Sequence, residues 1–368
     1  YIQRKLMKVL VGMSGGVDSS VAAALLLEQG YEVAGCTLRL YDGEEYEAGQ
    51  TRTCCSLSDV EDARSVCAKL GIPHYVFNFK QQFRSCVIDN FISEYINGRT
   101  PNPCIECNKS IKFSEMLLRA ETLGYNKIAT GHYAFTKQAE NGSWLLFRGS
   151  DRTKDQSYVL YGMTQHQLSK TLFPLADVSK ETVRRIASRY GFFNAEKPDS
   201  QDICFVPDGD YAAFIERDTG KNAPPGDFSD EQGNVLGRHS GLIRYTVGQR
   251  KGLGIALGAP AFVISKDAEN NRVILSTDER RLFHKRVLIS NVNFIPGPAP
   301  DEPQRVTAKL RYRHNDSPAT LYSAGNGSAV LEFDEPQRAP SPGQAAVFYS
   351  GDRVLGGGTI ERGLNDDE

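Results

Sequence analysis

VLVGMSGGVDSSVAAALL, residues 9–26, is the stretch that decides how the N-terminal part of the chain folds. An apolar run leads into a glycine- and serine-rich turn, and an alanine- and leucine-rich helical run follows it. Gly15 and Gly16 lack side chains, so backbone N–H groups can approach a polyphosphate beside the positive end of the helix. Asp18 would repel phosphate unless a bound Mg²⁺ reconciled the two charges. The alternative is an ordinary turn with a Ser/Asp helix cap.

The same alternation continues along the chain. Val33–Leu40 and His74–Phe79 are predicted strands, separated by a helical stretch that ends at Gly71. Lys127–Thr130 is a further strand, followed by Gly131. Strand–helix repetition predicts an α/β domain with a parallel sheet covered on both faces. Ligands are then expected at the carboxyl ends of the strands.

The composition and hydrophobic pattern of the sequence change after about Pro207. Glycine-rich sequence of mixed period predicts a small α+β domain, and short strands broken by Pro/Gly clusters then predict a compact β-barrel or sandwich. The predicted domains are 1–207, a nucleotide-binding and catalytic domain; 208–282, a small central domain; and 283–368, a C-terminal β-barrel.

The composition of the chain limits the classes of partner that we expect it to bind. The chain has 368 residues and a formal net charge of −2, so RNA binding would need local basic patches. No apolar run is long enough for a membrane span and no secretory signal is visible, so we expect no membrane partner and a cytoplasmic protein. Eight cysteines in such a chain are too sparse for a disulfide scaffold and favour redox, metal or nucleophilic roles.

Cys104 and Cys107, in PNPCIECNK, are the conspicuous pair, and Cys204 lies in KPDSQDICF. Cys107 is predicted to begin a helix, where the helix dipole and Lys109 would favour the thiolate. The other cysteines are predicted to be core residues or have no assigned role: Cys36, Cys67 and Cys86 in the first group, Cys54 and Cys55 in the second.

SGGVDSS resembles the PP-loop of pyrophosphatase-type enzymes, which cleave ATP to AMP and pyrophosphate. Alone, the motif reaches only the superfamily. Five stretches resemble those of bacterial tRNA-specific 2-thiouridylases, in the same order: GRTPNPCIECNKSIKF, IATGHYA, TKDQSYVLY, KPDSQDICF and HSGLIRYTVGQRKGLG. The resemblance implies ATP-dependent 2-thiolation of the tRNA wobble uridine. It also implies Mg²⁺, tRNA and a sulfur-donor protein as partners, and a monomeric enzyme.

The resemblance also implies site residues. Cys107 would be the nucleophile and Cys204 would carry a persulfide. ATP would be contacted by Gly12, Met13, Ser14, Gly15, Gly16, Val17, Asp18, Ser19, Leu38 and Gly131. Contacts to the target base and tRNA would come from Asn102, Pro103, Cys104, Lys154, Asp155, Gln156, Arg311 and Tyr312.

Cys104 departs from the family pattern, because many relatives carry Asp there, a candidate general base. A thiol has a much higher reference pKa, which puts that role in doubt. Three interpretations of Cys104, Cys107 and Cys204 remain open: ligands of a [4Fe–4S] cluster, a persulfide relay that ends in a Cys107–Cys204 disulfide, and structural thiols.

In VTAKLRYRH, the cations Lys309, Arg311 and Arg313 alternate with Leu310 and Tyr312. On a strand the cations would share one face and could meet a phosphate backbone; a solvated strand face is the alternative. Two other functions are kept open, a PP-loop ligase or amidotransferase acting on a small molecule, and a non-catalytic RNA-binding sulfur carrier.

Overall fold

The computed structural model describes residues 7–41, 57–197 and 203–365. Two compact units emerge. The first contains residues up to 88, 103–209 and 352–354, and the second contains 89–102, 210–351 and the residues from 355 onward. Cys54, Cys55 and residues 198–202 of the KPDSQDICF stretch lie outside the described residues.

The first unit is built on a five-stranded sheet in the order β3-β2-β1-β4-β7, in which all four neighbouring pairs are parallel. Its strands are β1 Lys8–Gly12, β2 Glu32–Arg39, β3 His74–Asn78, β4 Lys127–Ala129 and β7 Thr171–Leu172. An antiparallel hairpin of β5 Ala134–Gln138 and β6 Trp144–Arg148 belongs to the same unit.

The helices of the first unit cover this sheet or follow its strands. They are α1 Val17–Glu28, α2 Leu57–Leu70, α3 Lys80–Phe83, α5 Pro103–Glu106, α6 Met116–Thr122, α7 Gln165–Lys170 and α8 Lys180–Arg189. Helix α4, Asp89–Ile96, belongs to the second unit. Wide helical turns of π type occupy Arg84–Ile88 and Cys107–Glu115.

Helix α1 is apolar almost all round, as its alanine and leucine run requires. Val17, Val21 and Leu26 are buried with Val9 and Val11 of β1 in one core. Ala63 and Val66 of α2 and Val183 of α8 join that core. Burial on both sides fixes the N-terminus of α1 at the carboxyl edge of the sheet, because β1 runs directly into it.

The second unit holds a four-stranded sheet in the order β10-β11-β8-β9. Its strands are β8 Gly226–Ser229, β9 Val235–His239, β10 Phe262–Asp267 and β11 Arg272–Ser276. Helix α9 Tyr211–Thr219 packs on α4 through aromatic side chains, with the Phe91 ring 6.2 Å from that of Phe214.

The second unit also contains a closed six-stranded antiparallel barrel in the order β12-β15-β14-β13-β16-β17, which closes where β12 pairs with β17. Its strands are β12 Phe283–Phe294, β13 Gln304–Lys309, β14 Ser317–Gly325, β15 Ser328–Arg338, β16 Ala345–Ser350 and β17 Arg353–Leu364, of which β17 has its first two residues in the first unit. Alternating residues such as Val287, Leu321 and Phe348 fill the interior.

The predicted fold class is therefore confirmed: a parallel-sheet α/β domain, a small central domain and a C-terminal β-barrel. Among the residues that the structure describes, no helix combines the length and the apolar character needed to cross a bilayer.

Lys266 on β10 is a buried amine whose charged form is disfavoured by its surroundings. Its Nζ donates to the carbonyl oxygen of Tyr245 at 2.7 Å, and burial lowers the pKa of the amine to about 8. The ordinary pKa of a lysine amine is about 10.4. Between these two pKa values the Lys266 amine is largely neutral in the folded protein and protonated in the unfolded chain. The free energy of unfolding should therefore rise with pH from about 8 to 10, by up to about 3 kcal/mol.

Chemical denaturation at pH 7.5 and pH 9.5 measures the free energy of unfolding of the parent protein and of the Lys266→Met variant. The difference between the two proteins removes the contribution of other titrating groups. A Lys266→Met protein that gains as much stability with pH as the parent contradicts the assignment.

Candidate active site

The turn between β1 and α1 has the backbone shape of an anion-binding loop. Gly15 has φ +72°, and a Cβ there would lie 2.8 Å from the carbonyl oxygen of Asp59, so only glycine fits. Gly16 is extended and caps α1 without using a side chain. The first N–H groups of the helix, which have no intrahelical acceptor, therefore face a site without side-chain competition.

Serine hydroxyls fix the shape of this loop. The Ser19 hydroxyl accepts from the backbone N–H of Ser14 at 3.2 Å and donates to the carbonyl of Gly16 at 3.1 Å. The Ser20 hydroxyl donates to the same carbonyl at 3.0 Å. These hydroxyls hold the backbone of the turn, a structural role in addition to any contact with phosphate.

Asn194 is a loop residue that the sequence did not reveal. Its Nδ2 donates to the carbonyl of Gly15 and to the Ser20 hydroxyl, both at 3.0 Å, and its side chain is buried. Asn194 is 174 residues away from Ser20 in the chain, so no local pattern could have linked them.

Asp18 in the first turn of α1 is neutralised from another part of the unit. Lys180 Nζ lies 2.8 Å from both carboxylate oxygens of Asp18, and the Tyr133 hydroxyl donates to one of them at 2.7 Å. The Lys180 side chain is only 12% exposed and that of Asp18 29%, so solvent screens this pair weakly. Lys180, the first residue of α8, was also missed by sequence reasoning.

Gly131 and Leu38 flank the loop. A Cβ on Gly131 would lie 2.7 Å from the backbone nitrogen of Ser19 and 2.8 Å from the carbonyl carbon of Asp18, so β4 can end against α1 only because this residue is glycine. Leu38, half-buried, is the second-last residue of β2 and pairs with Phe77. Both predicted ATP residues thus lie at the carboxyl edge of the sheet, where β1 enters the loop.

His132 is buried beside this edge. Its Nδ1 is 2.8 Å from the hydroxyl of Thr130, and the rings of Phe113 and Phe173 pack around it. Burial, with Lys112 nearby, holds the pKa of the imidazole well below its usual value, so it is neutral at physiological pH. These contacts are those of a core residue.

The prediction that Cys107 begins a helix is wrong. The helix begins at Pro103, which lacks the N–H that the first turn leaves unsatisfied, and Cys107 starts the wide helical turn one turn later. Cys107 is buried, whereas Cys104, in the first turn, is exposed. The helix dipole therefore acts more directly on Cys104 than on Cys107.

The Cys107 segment packs along the carboxyl edge of the sheet. Met116, the residue after its wide turn, faces Gly12 so closely that a Cβ there would lie 3.2 Å from the Met116 sulfur. Cys107 precedes Met116 by nine residues. This separation corresponds to at most about 14 Å along a helix axis. Pro103, the predicted base-contacting residue at the start of the segment, is buried, and Asn102 precedes it half-buried.

Cys204 is anchored at the same edge. The Tyr41 hydroxyl, two residues beyond β2, donates to the Cys204 carbonyl at 2.7 Å. Phe205 packs edge-on against Phe83 with ring centroids 5.8 Å apart, and the segment around Phe83 also packs against the Cys107 turn. Phe83 thus connects the two cysteine-bearing segments within one unit.

The described residues give no support to the predicted cluster at Cys104, Cys107 and Cys204. Within residues 7–41, 57–197 and 203–365, which include Cys104, Cys107 and Cys204, no group of three or more His, Cys, Asp or Glu side chains lies close enough to hold a metal ion. Cys104 is exposed and Cys107 is buried. A [4Fe–4S] cluster held by these cysteines stays a prediction.

Two of the three remaining cysteines of the described part, Cys36 and Cys67, are unsuited to thiolate chemistry. Cys36 and Cys67 are fully buried, as predicted, and burial raises the pKa of the Cys67 thiol to about 12 and that of Cys36 further. Cys86 is half-buried in the first wide helical turn.

The predicted tRNA segment Lys154–Gln156 is tied into its own unit. The carboxylate of Asp155 accepts from the backbone N–H groups of Gly149 and Ser157, and the Gln156 side chain accepts from the N–H of Tyr133 at 3.1 Å. Lys154 is half-buried and its neighbour Arg152 is exposed. Asp155 and Gln156 therefore shape the loop that presents the two cations.

The predicted basic strand in the barrel is only partly correct. Strand β13 ends at Lys309, so Arg311 and Arg313 lie in the following turn and the alternation does not place three cations on one strand face. Arg311 donates to the carbonyl of Ala339 and the hydroxyl of Ser341, at 2.9 and 3.0 Å. Tyr312 is 39% exposed.

Gly131→Ala tests the nucleotide site. The added methyl would collide with the first turn of α1, and we expect ATP affinity to fall by roughly tenfold or more, since backbone atoms cannot yield as side chains do. Gly162→Ala is the matched control, because its Cβ would lie 3.8 Å from the nearest atom. Titration with an ATP analogue measures both; equal affinities in the two variants would contradict the role of this close approach.

Comparisons with known proteins agree with this architecture. Residues 7–208 match the family described as tRNA methyl transferase HUP domain. Residues 212–277 match the tRNA methyl transferase PRC-barrel domain, and residues 284–360 match the aminomethyltransferase beta-barrel domain.

Similar proteins extend over nearly the whole chain. The protein from Acetivibrio thermocellus named tRNA-specific 2-thiouridylase MnmA is 52% identical over 356 residues, covering 96% of this chain and 99% of that protein. Proteins of the same name from Lachnoclostridium phytofermentans and Clostridioides difficile are each 50% identical, covering 96% and 97% of this chain and 99% of theirs. The chain therefore belongs to the family of tRNA-specific 2-thiouridylases.

Proposed function

We propose that this protein uses ATP to replace the 2-oxygen of the wobble uridine of tRNA by sulfur, releasing AMP and pyrophosphate. The observation that carries the proposal is the shared location of three parts. The phosphate loop, the Cys107 segment and the Cys204 backbone all lie at the carboxyl edge of one parallel sheet. Family membership supports the same reaction.

The first step is activation of a poor leaving group. The 2-oxygen of uridine attacks the α-phosphorus of ATP, the bond to the β-phosphate oxygen breaks, pyrophosphate leaves, and the N3 proton passes to water. The backbone of Gly15 and Gly16 and the N-terminus of α1 hold the phosphates. Lys180 places a positive charge beside the loop, and Asp18 is the carboxylate suited to Mg²⁺, which neutralises phosphate charge when bound.

The second step uses a persulfide on Cys204, delivered by a cysteine desulfurase or a sulfur-relay protein. Its terminal sulfur attacks C2 of the base, and AMP leaves with the original oxygen. The Cys107 thiolate then attacks the Cys204 sulfur and breaks the S–S bond to the transferred sulfur. The base keeps that sulfur and regains a proton at N3, and a Cys107–Cys204 disulfide remains for a thiol reductant to open.

The relay is proposed over the cluster because it needs only Cys107 and Cys204, and because the described residues contain no group of three or more His, Cys, Asp or Glu side chains that could hold a metal ion. We further propose that Lys154, with Arg311 and Tyr312 of the barrel, contacts the tRNA backbone, and that the enzyme acts as a monomer. The closed surroundings of Asp155 and Gln156 indicate a supporting role in the tRNA-contacting loop.

Cysteine substitutions test the relay. Cys107→Ser and Cys204→Ser should each lower the rate of tRNA thiolation by about 10³-fold or more, because each removes the only sulfur that can perform its step. Cys86→Ser, in the same unit, should stay within about threefold of the parent protein, and so should Cys104→Ser. The measurement is single-turnover formation of 2-thiouridine after each protein has been incubated with the same sulfur donor.

Pyrophosphate release distinguishes the proposed function from the two alternatives, a PP-loop ligase or amidotransferase and a non-catalytic carrier. Activation precedes sulfur transfer, so Cys107→Ser should still release about one pyrophosphate per site, and only with unmodified tRNA. Rapid release without tRNA would indicate a PP-loop ligase acting on another substrate. Tight tRNA binding without any release would indicate a non-catalytic carrier. Loss of thiolation together with iron in Cys104→Ser would restore the cluster mechanism.

A further inference from the structure

The Asp18 carboxylate is hydrogen-bonded to Tyr133 and Lys180, and the backbone of each of these residues is hydrogen-bonded to the loop 151–156. The carboxylate accepts from the Tyr133 hydroxyl at 2.7 Å and from Lys180 Nζ at 2.8 Å. Tyr133 is 2% exposed, and the Lys180 side chain is also largely enclosed. Neither side chain can relocate without moving the backbone that carries it, because buried side chains pack closely.

The backbone of Tyr133 is joined to Gln156 in both directions. The N–H of Tyr133 donates to the Gln156 side-chain oxygen at 3.1 Å, and the N–H of Gln156 donates to the Tyr133 carbonyl at 3.0 Å. Gly149 lies against the same peptide, since a Cβ there would be 3.0 Å from the Tyr133 carbonyl carbon. A displacement of Gln156 is therefore a displacement of Tyr133.

The backbone of Lys180 is joined to the other end of the loop. Its N–H donates to a carboxylate oxygen of Asp151 at 3.1 Å. Asp151 also accepts from the Thr153 hydroxyl and N–H at 2.6 and 3.0 Å, and its carbonyl accepts from the N–H of Lys154 at 3.1 Å. Together with Asp18 and the chain from Asp151 to Gln156, these contacts form a closed circuit of Asp18, Tyr133, Gln156, Asp151 and Lys180, called here the Asp18 ring.

We propose that Tyr133 is a positioning residue, and that the Asp18 ring couples the docking of an RNA backbone on loop 151–156 to the binding of ATP at the phosphate loop. This inference rests on the proposed function. RNA phosphates would engage the cations Arg152 and Lys154, which lie inside the stretch closed by Asp151 and Gln156. ATP with its metal would engage Asp18 and Lys180, at the opposite side of the ring.

Both ligands thereby bias one hydrogen-bonded element, which is the physical requirement for coupling between sites. The ring uses the hydroxyl of Tyr133 on one side and its backbone on the other, so removing the hydroxyl alone opens the ring and leaves the loop contacts in place. The coupling is reciprocal: tRNA must tighten ATP binding by the same factor as ATP tightens tRNA binding.

The test measures the dissociation constant of α,β-methylene ATP with and without an unmodified tRNA transcript, using the full chain. For the parent protein we expect tRNA to tighten analogue binding by roughly fivefold or more. Tyr133→Phe removes one of the two connections between Asp18 and the loop and should lower this ratio by about half or more, whatever its effect on either binary affinity. Tyr190→Phe is the matched control, since the Tyr190 hydroxyl donates at 2.8 Å to Glu28, at the far end of the same helix α1.

Gln156 provides a second pair of variants. The ring needs only the acceptor oxygen of this side chain, so Gln156→Glu should keep the coupling ratio, while Gln156→Met, of similar volume, should reduce it towards one. This pair decides the matter if Tyr133→Phe does not fold, as judged by its thermal unfolding transition.

Three results would overturn the inference while the proposed function stands: a parent protein that thiolates tRNA with a ratio of one, a Tyr133→Phe protein with the parental ratio, or equal ratios in the two Gln156 variants. Failure of the proposed function looks different, because the parent protein would then not form 2-thiouridine at all.

Discussion

A negative side chain at the entrance to a phosphate-binding helix needs a counter-charge, and this requirement organises the first unit. Asp18 obtains it from Lys180, whose ammonium group approaches both carboxylate oxygens at 2.8 Å in surroundings that exclude most solvent. At an effective dielectric constant of about 20, opposite charges about 3 Å apart attract by roughly 5 kcal/mol before desolvation is counted. Helix α8 is thereby fixed to the start of α1, and so is everything that α8 carries.

The same edge of the sheet satisfies the chemical demand for sulfur. Glycines at positions 12, 15 and 131 let three neighbouring segments approach the loop backbone, and in each case an added Cβ would come within 3.2 Å of another residue. One of those segments continues from the Cys107 turn. Cys204 comes to this edge through Tyr41 and Phe83. Activation and sulfur transfer are thus proposed where strand ends converge, the usual location of sites in open α/β sheets.

The sequence predicted what local pattern controls. Strand–turn–helix order in residues 9–26 indicated the loop, and the Pro/Gly-broken strands after position 283 indicated the barrel. It could not reveal Lys180, Tyr133 or Asn194, because these contacts join residues more than 100 positions apart and have no periodic signal. The start of the Cys107 helix was misplaced because the preceding PNP suggests a break, whereas Pro103 occupies the first helical position. The barrel cations were misassigned because alternation does not reveal where a strand ends.

The central claim is that ATP activates the very oxygen that sulfur replaces, and an oxygen-isotope experiment tests it most directly. A tRNA carrying ¹⁸O at the 2-position of its wobble uridine is thiolated once by the persulfide-loaded enzyme, and the AMP is analysed by mass spectrometry. The account predicts one ¹⁸O atom in the phosphate of AMP for each 2-thiouridine formed. Unlabelled AMP beside labelled water would contradict it.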